Sequence, residues 1–115
     1  MKNQFAHEVI FCIVNSGFSE VVMDAAKKVG AKGGTVMNAR GTAGKEAEKF
    51  FGISVQDEKE IVMILTSAEC KNAILEKLYE EVGLNTAGQG IAFSLPVDGV
   101  VGLSAGASQK DYTEE

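Results

Sequence analysis

The sequence predicts an α+β fold: six elements in the order βαββαβ, forming a four-stranded antiparallel sheet with two helices on one face. Three observations lead there. Four apolar runs of strand length recur along the chain, and two stretches between them carry apolar residues at helical spacing. The 115 residues suffice for one domain with a thinly covered core.

The first run, His7 to Val14 (HEVIFCIV), is rich in β-branched and aromatic residues and apolar on both alternating faces, as a fully covered strand requires. A polar Asn-Ser-Gly ends it. A helix is expected from Ser19, which can cap its start; Phe18, Val21, Val22, Ala25 and Val29 form its stripe, and Gly30 stops it. Gly33 to Arg40 (GGTVMNAR) reads as a second, less apolar strand.

Residues 41–58 hold two glycine-punctuated polar stretches and the pair Phe50-Phe51. Structureless connections longer than about 12 to 15 residues are uncommon in compact domains and are often functional. Ile61 to Leu65 is a third strand. Thr66 and Glu69 match a capping box, and Ile74, Leu75, Leu78 and Val82 form the stripe of a second helix ending at Gly83. Ile91 to Leu95 is the fourth strand, with a partly extended continuation through Pro96 to Leu103. Residues 1–103 thus make the domain and 104–115 a polar acidic tail.

This order is the ferredoxin-like arrangement. Two helices cover one face of its sheet, yet Val9, Phe11 and Ile13 are as apolar as Ile10, Cys12 and Val14. The second face therefore calls for a partner, most economically further copies of the chain.

A net charge of −5 and a single arginine, Arg40, provide no basic footprint for nucleic acid. No run approaches the roughly 20 apolar residues of a membrane span, and the N-terminus carries no signal-peptide pattern, so a cytoplasmic protein is expected. Cys12 and Cys70 have no CxxC spacing and read as reduced thiols. No metal site and no nucleophile-base-orienter set is evident: His7 stands alone, and Asp57, Glu58 and Glu60 read as a solvated cluster. The chain is not expected to be an enzyme.

Two glycine-rich stretches remain. Gly41-Thr42-Ala43-Gly44-Lys45 can present N–H groups and an ammonium to phosphate oxygens, although it fails the Walker pattern; the alternative is a flexible loop. Gly83 to Gly90 places Asn85, Thr86 and Gln89 among glycines that permit close approach; the alternative is a helix stop with a tight strand entry. Phe50-Phe51 serves either a partner or local packing.

The stretches GGTVMNARGTAG, KEIVMIL and above all GQGIAFSLPVDGVVGL resemble the nitrogen regulatory protein P-II family, and its shorter P-II-like members in particular. The resemblance runs from the first strand to Leu103. It implies a ferredoxin-like homotrimer that holds adenine nucleotides in intersubunit clefts and regulates a target protein through a mobile loop. Residues 41–58 would be that loop, with Lys45, Phe50 and Phe51 facing the partner. Arg40, Gly41 and Thr42 fall at the loop base, and Asn85, Thr86, Gly88, Gln89 and Gly90 on the nucleotide-facing turn.

Where typical members carry lysines around that turn this chain has Thr86 and Ile91, and where they carry arginines after the fourth strand it has Gly99, Gly102 and Ser104. Each lost charge-assisted contact is worth on the order of 1.5 to 3 kcal/mol. The resemblance therefore implies AMP, ADP or another adenine-containing molecule rather than ATP, or an empty cleft, and no required cofactor. The loop is shorter than usual and lacks a tyrosine, since Tyr79 and Tyr112 lie elsewhere, so uridylylation of a loop tyrosine is not expected. The implied target is a transporter or metabolic enzyme of nitrogen or carbon metabolism.

Two other readings share the element order. One is a trimeric, divalent-metal-binding protein similar in shape to the divalent-cation tolerance family. The other is a small acylphosphatase-type enzyme, for which Arg40 with Asn38 or Asn15 would be the nominees.

Overall fold

A computed structural model of the chain describes residues 5–42, 49 and 57–103. The elements are β1 (His7–Asn15), α1 (Ser19–Lys28), β2 (Thr35–Arg40), β3 (Glu58–Ser67), α2 (Lys71–Val82) and β4 (Ile91–Val97). All strand pairs are antiparallel, in the order β2-β3-β1-β4. This is the expected ferredoxin-like βαββαβ fold. Lys45, Phe50, Phe51, most of loop 41–58 and the tail 104–115 lie outside the described residues.

The alternation of β1 divides the molecule. Ile10, Cys12 and Val14 are buried with Val62 and Ile64 of β3 against Val22, Ala25 and Ala26 of α1 and Ile74, Leu78 and Val82 of α2. Fully burying one such aliphatic side chain contributes about 1.5 to 3 kcal/mol, so this layer holds the helices to the sheet. On the other face Val9 pairs with Leu65 and Leu95, Phe11 with Met63 and Phe93, and Ile13 with Ile61 and Ile91. Phe11 and Phe93 stack at 5.5 Å between ring centroids. Phe93 is still 45% exposed and Ile91 58%, because none of the described elements covers this face.

Both helix starts differ from the sequence expectation. Ser19 makes no capping bond through its side chain; Phe18 is the cap residue of α1. The Glu60 carboxylate of β3 takes over, its Oε1 accepting the N–H groups of Gly17 (3.1 Å) and Ser19 (3.2 Å). An acceptor carrying a full negative charge satisfies orphan amides and complements the helix dipole. The capping box is likewise replaced: Thr66 is buried in β3, which runs on to Ser67, and α2 begins only at Lys71 after a turn. The ladder gained by continuing β3 opposite His7 and Glu8 outweighs one local cap. β3 also starts earlier than its apolar run, at Glu58, and β2 later, at Thr35.

Candidate functional site

Four chain segments meet at one end of the sheet: the end of β2, the start of β3, the end of β1 and the turn before β4. Their register aligns Ala39, Lys59 and Asn15 in one row, with Gln89 just before the β4 strand that pairs with β1. Apart from Ala39 the row is polar, whereas the next row on the same face, Met37, Ile61, Ile13 and Ile91, is wholly apolar.

Asn15 sits at the centre of the row, and it is buried. Its Nδ2 donates to the Ala87 carbonyl (3.0 Å) and lies 3.5 Å from Gln89 Oε1, while its Oδ1 accepts from Lys59 Nζ at 2.7 Å. The partners fix the amide orientation, because the reverse would set two oxygens face to face and the ammonium against an NH2 group. The Asn15 N–H donates to the Gly88 carbonyl (2.9 Å), so one residue holds the turn through backbone and side chain together.

The turn is closed by its two glycines. Gly83 and Gly90 form a parallel bridge, and the Gly90 N–H donates to the Val82 carbonyl at 2.6 Å. A Cβ on Gly83 would strike the Tyr79 carbonyl, and one on Gly90 the Val82 carbonyl. Between them, Thr86 bonds back to the Gly83 carbonyl through its N–H (2.9 Å) and its hydroxyl (2.8 Å), an ST-type turn. Gly88 is buried over Phe18 and Val82. Gln89 adopts φ +49°, an uncommon conformation for a residue with a side chain, held by its N–H bond to the Thr86 carbonyl. Asn85 is exposed.

At the other side of the row, Arg40 ends β2 opposite Glu58, and both are exposed. Gly41 donates its N–H to the Asp57 carbonyl (2.7 Å), which ties the two stems of loop 41–58 together; Thr42 is exposed. A Cβ on Gly41 would stand 3.1 Å from Cε of Lys59. Glycine thus leaves room for the lysine chain to cross the stem toward Asn15.

The structure therefore brings Gly41, Gly88 and Gln89 into one connected network, but only through Lys59 and Asn15. Arg40 and the glycine turn belong to strands three spacings apart, about 14 Å, and do not touch. Lys59 escaped the sequence reading because it sat in an acidic run, and Asn15 because it was weighed only as a partner for Arg40. A hollow of about 180 Å³ between α2 and β4 is lined mainly by apolar side chains, including Leu75, Leu78 and Ala92, and offers less to a polar ligand.

Among the described residues no three His, Cys, Asp or Glu side chains gather as metal ligands. Burial pushes the Cys12 thiol up from 9.0 to about 11, so the thiolate a metal would need is disfavoured. Asn15 is engaged with Lys59 and lies beyond β3 from Arg40, so the acylphosphatase pairing of those two does not form.

The model of the family described as "Nitrogen regulatory protein P-II" matches residues 8–107. The chain belongs to the P-II family. Among solved structures it is similar to a PII-like signalling protein of Thermus thermophilus (22% identity, TM-score 0.62, covering 81% of this chain and 87% of that one). It is also similar to Arabidopsis thaliana PII bound to citrate (22%, TM-score 0.65, 87% and 82%) and to the B. subtilis GlnK-ATP complex (14%, TM-score 0.65, 85% and 89%). At these identities the structures share the fold with the chain. No curated protein sequence matches it. Membership of the P-II family makes this chain one of a family of signalling proteins rather than of enzymes. No helix among its described residues is long and apolar enough to cross a membrane.

Proposed function

We propose that this P-II protein works as a homotrimer in the cytoplasm, sensing a small anionic metabolite at the polar row and reporting it to a target protein through loop 41–58. One observation carries the reading: the Lys59 chain passes beside Gly41 at the loop stem and donates to Asn15, which in turn donates to the Ala87 and Gly88 carbonyls, so that the loop stems and the glycine turn share one chain of contacts. A ligand that pulls on either end changes the other. It shifts the loop population only to the extent that it binds one loop state better than the other.

An adenine nucleotide is the proposed metabolite, AMP or ADP rather than ATP, held where the polar row of one copy meets another. The ligands named for two relatives, ATP for B. subtilis GlnK and citrate for Arabidopsis PII, support an anion. The apolar face bearing Phe11, Phe93 and Leu95 supports the assembly, since copies of the chain would cover it. The target, reached through Lys45, Phe50 and Phe51, would be a transporter or enzyme of nitrogen or carbon metabolism.

Titration calorimetry with AMP, ADP and ATP, with and without magnesium and after the solution mass is measured, tests this. Saturable binding of AMP or ADP, one per chain in a trimer, is expected. Absence of heat with all three nucleotides overturns the nucleotide reading, and a monomer in solution overturns the assembly.

A further inference from the structure

We propose that the hollow between α2 and β4 is a binding site for one small uncharged aromatic molecule, a single ring seated between Leu75 and Leu78 of the helix and Ala92 of the strand. The site is separate from the polar row, so the inference stands or falls apart from the nucleotide reading. Its size comes first. The hollow measures about 180 Å³. An engineered apolar cavity of about 150 Å³ stays dry and takes up benzene, so this space suits a ring of that kind.

The chain makes the space with small residues. Gly83 and Gly90 close one end, and neither position admits a larger residue, because a Cβ on either would strike a carbonyl oxygen. Ala92, opposite Cys12 in the register, puts a single methyl where β4 passes under α2. On the helix, Leu75, Leu78 and Val82 recur on one side and form the opposite wall. An empty space forfeits the dispersion contacts its lining would otherwise make, and a ring that restores them is held by them.

The lining also sets the chemistry. Among the described residues no Lys, Arg, His, Asp or Glu borders the hollow. The polar backbone at the glycine end is already spent: Gly83 donates to the Tyr79 carbonyl (3.1 Å) and accepts from the N–H and hydroxyl of Thr86, while Gly90 donates to the Val82 carbonyl. Cys12 is 1% exposed, and burial raises its thiol to about 11, so it stays neutral. A charged group would lose its water here with nothing to replace it. Tyr79 favours an aromatic occupant over an aliphatic one, since it lines the hollow while 72% exposed, and paired rings attract beyond the area they bury. The occupant lies against Gly83 and Gly90, the clamp of the turn that carries Gly88 and Gln89, and so bears on the polar row without entering it.

The test titrates the protein in its solution assembly with benzene, indole, cyclohexane and benzoate, and follows backbone amides and side-chain methyls by NMR. Benzene should give saturable shifts centred on Leu75, Leu78, Val82, Gly90 and Ala92 and bind more tightly than cyclohexane. Benzoate, a charged ring of similar size, should give no shifts there. Ala92→Leu should weaken benzene binding by roughly tenfold or more, because the added side chain occupies the place of the ring. Leu75→Ala widens the same hollow from the helix side and should raise the preference for indole over benzene; it carries the test if Ala92→Leu fails to fold. Undiminished benzene binding in a folded Ala92→Leu, or an unaltered indole preference in Leu75→Ala, overturns the site. Cyclohexane binding as tightly as benzene overturns the aromatic class, and benzoate binding at these residues overturns the uncharged one. Absence of shifts with every probe overturns the proposal outright.

Discussion

Replacing Gly90 by alanine tests whether close backbone approach, and not turn flexibility, is what places a glycine at the entry to β4. The Gly90 N–H donates to the Val82 carbonyl, and a Cβ at this position would fall on that same oxygen and stand 3.0 Å from Val14 Cγ1. The strand start must back away. Weakening this hydrogen bond costs about 1 kcal/mol and the overpacking about 1 to 3, a sum of about 2 to 4 kcal/mol. Gly99→Ala is the control: nothing lies within 4 Å of its Cβ position, and removing a glycine from an unstrained site is neutral or stabilising by up to about 1 kcal/mol. Urea unfolding at fixed protomer concentration is the assay, since assembly makes stability concentration-dependent. With a slope of about 1 to 3 kcal/mol per molar urea, the Gly90→Ala midpoint should fall by about 0.7 to 4 M relative to Gly99→Ala. Equal midpoints would refute the close-approach argument.

Glu60→Ala should cost about 1 to 3 kcal/mol in thermal unfolding through loss of two charge-assisted bonds, whereas Ser19→Ala should stay within about 0.5. Phe93→Asp should convert the proposed trimer to monomers by light scattering, because it sets a charge in the exposed apolar face; a trimer of unchanged mass would count against that face as the interface. At pH 8 the Cys12 thiol should resist a disulfide reagent until the protein unfolds, while the half-exposed Cys70 reacts first. The folded state keeps the Cys12 proton longer than the unfolded chain does, so stability is intact below pH 9 and falls between pH 9 and about 11, on the order of 2 kcal/mol. Comparison of alkaline unfolding with Cys12→Ala isolates this loss, which the variant should lack.

Legibility in the sequence followed the range of the interaction. β1 was readable because an unbroken apolar run has one stable fate, and α2 because Ile74, Leu78 and Val82 return every turn. The start of β3 was hidden: Glu58 was counted into the loop and Glu60 into a solvated cluster, although Glu58 pairs with Arg40 and the backbones of Lys59 and Glu60 continue the ladder opposite Asn15 and Val14. Ser19 and Thr66 were misread because local capping rules cannot see a carboxylate arriving from 41 residues away, or a strand that outcompetes a helix turn. The turn residues were identified by type, yet the pair that ties them to the loop stem, Asn15 and Lys59, is separated by 44 positions. Only the fold brings it together.

The pinning of Gly83 to Gly90 has an evolutionary reading. With both ends of the turn clamped by backbone, the six residues between them form a cassette, and apart from Gly88, which packs on Phe18 and Val82, they are little used by the core. Substitutions there are screened from the stability of the sheet. A lineage can therefore exchange residues in this stretch, lysine for threonine among them, while the sheet beneath goes on folding as before.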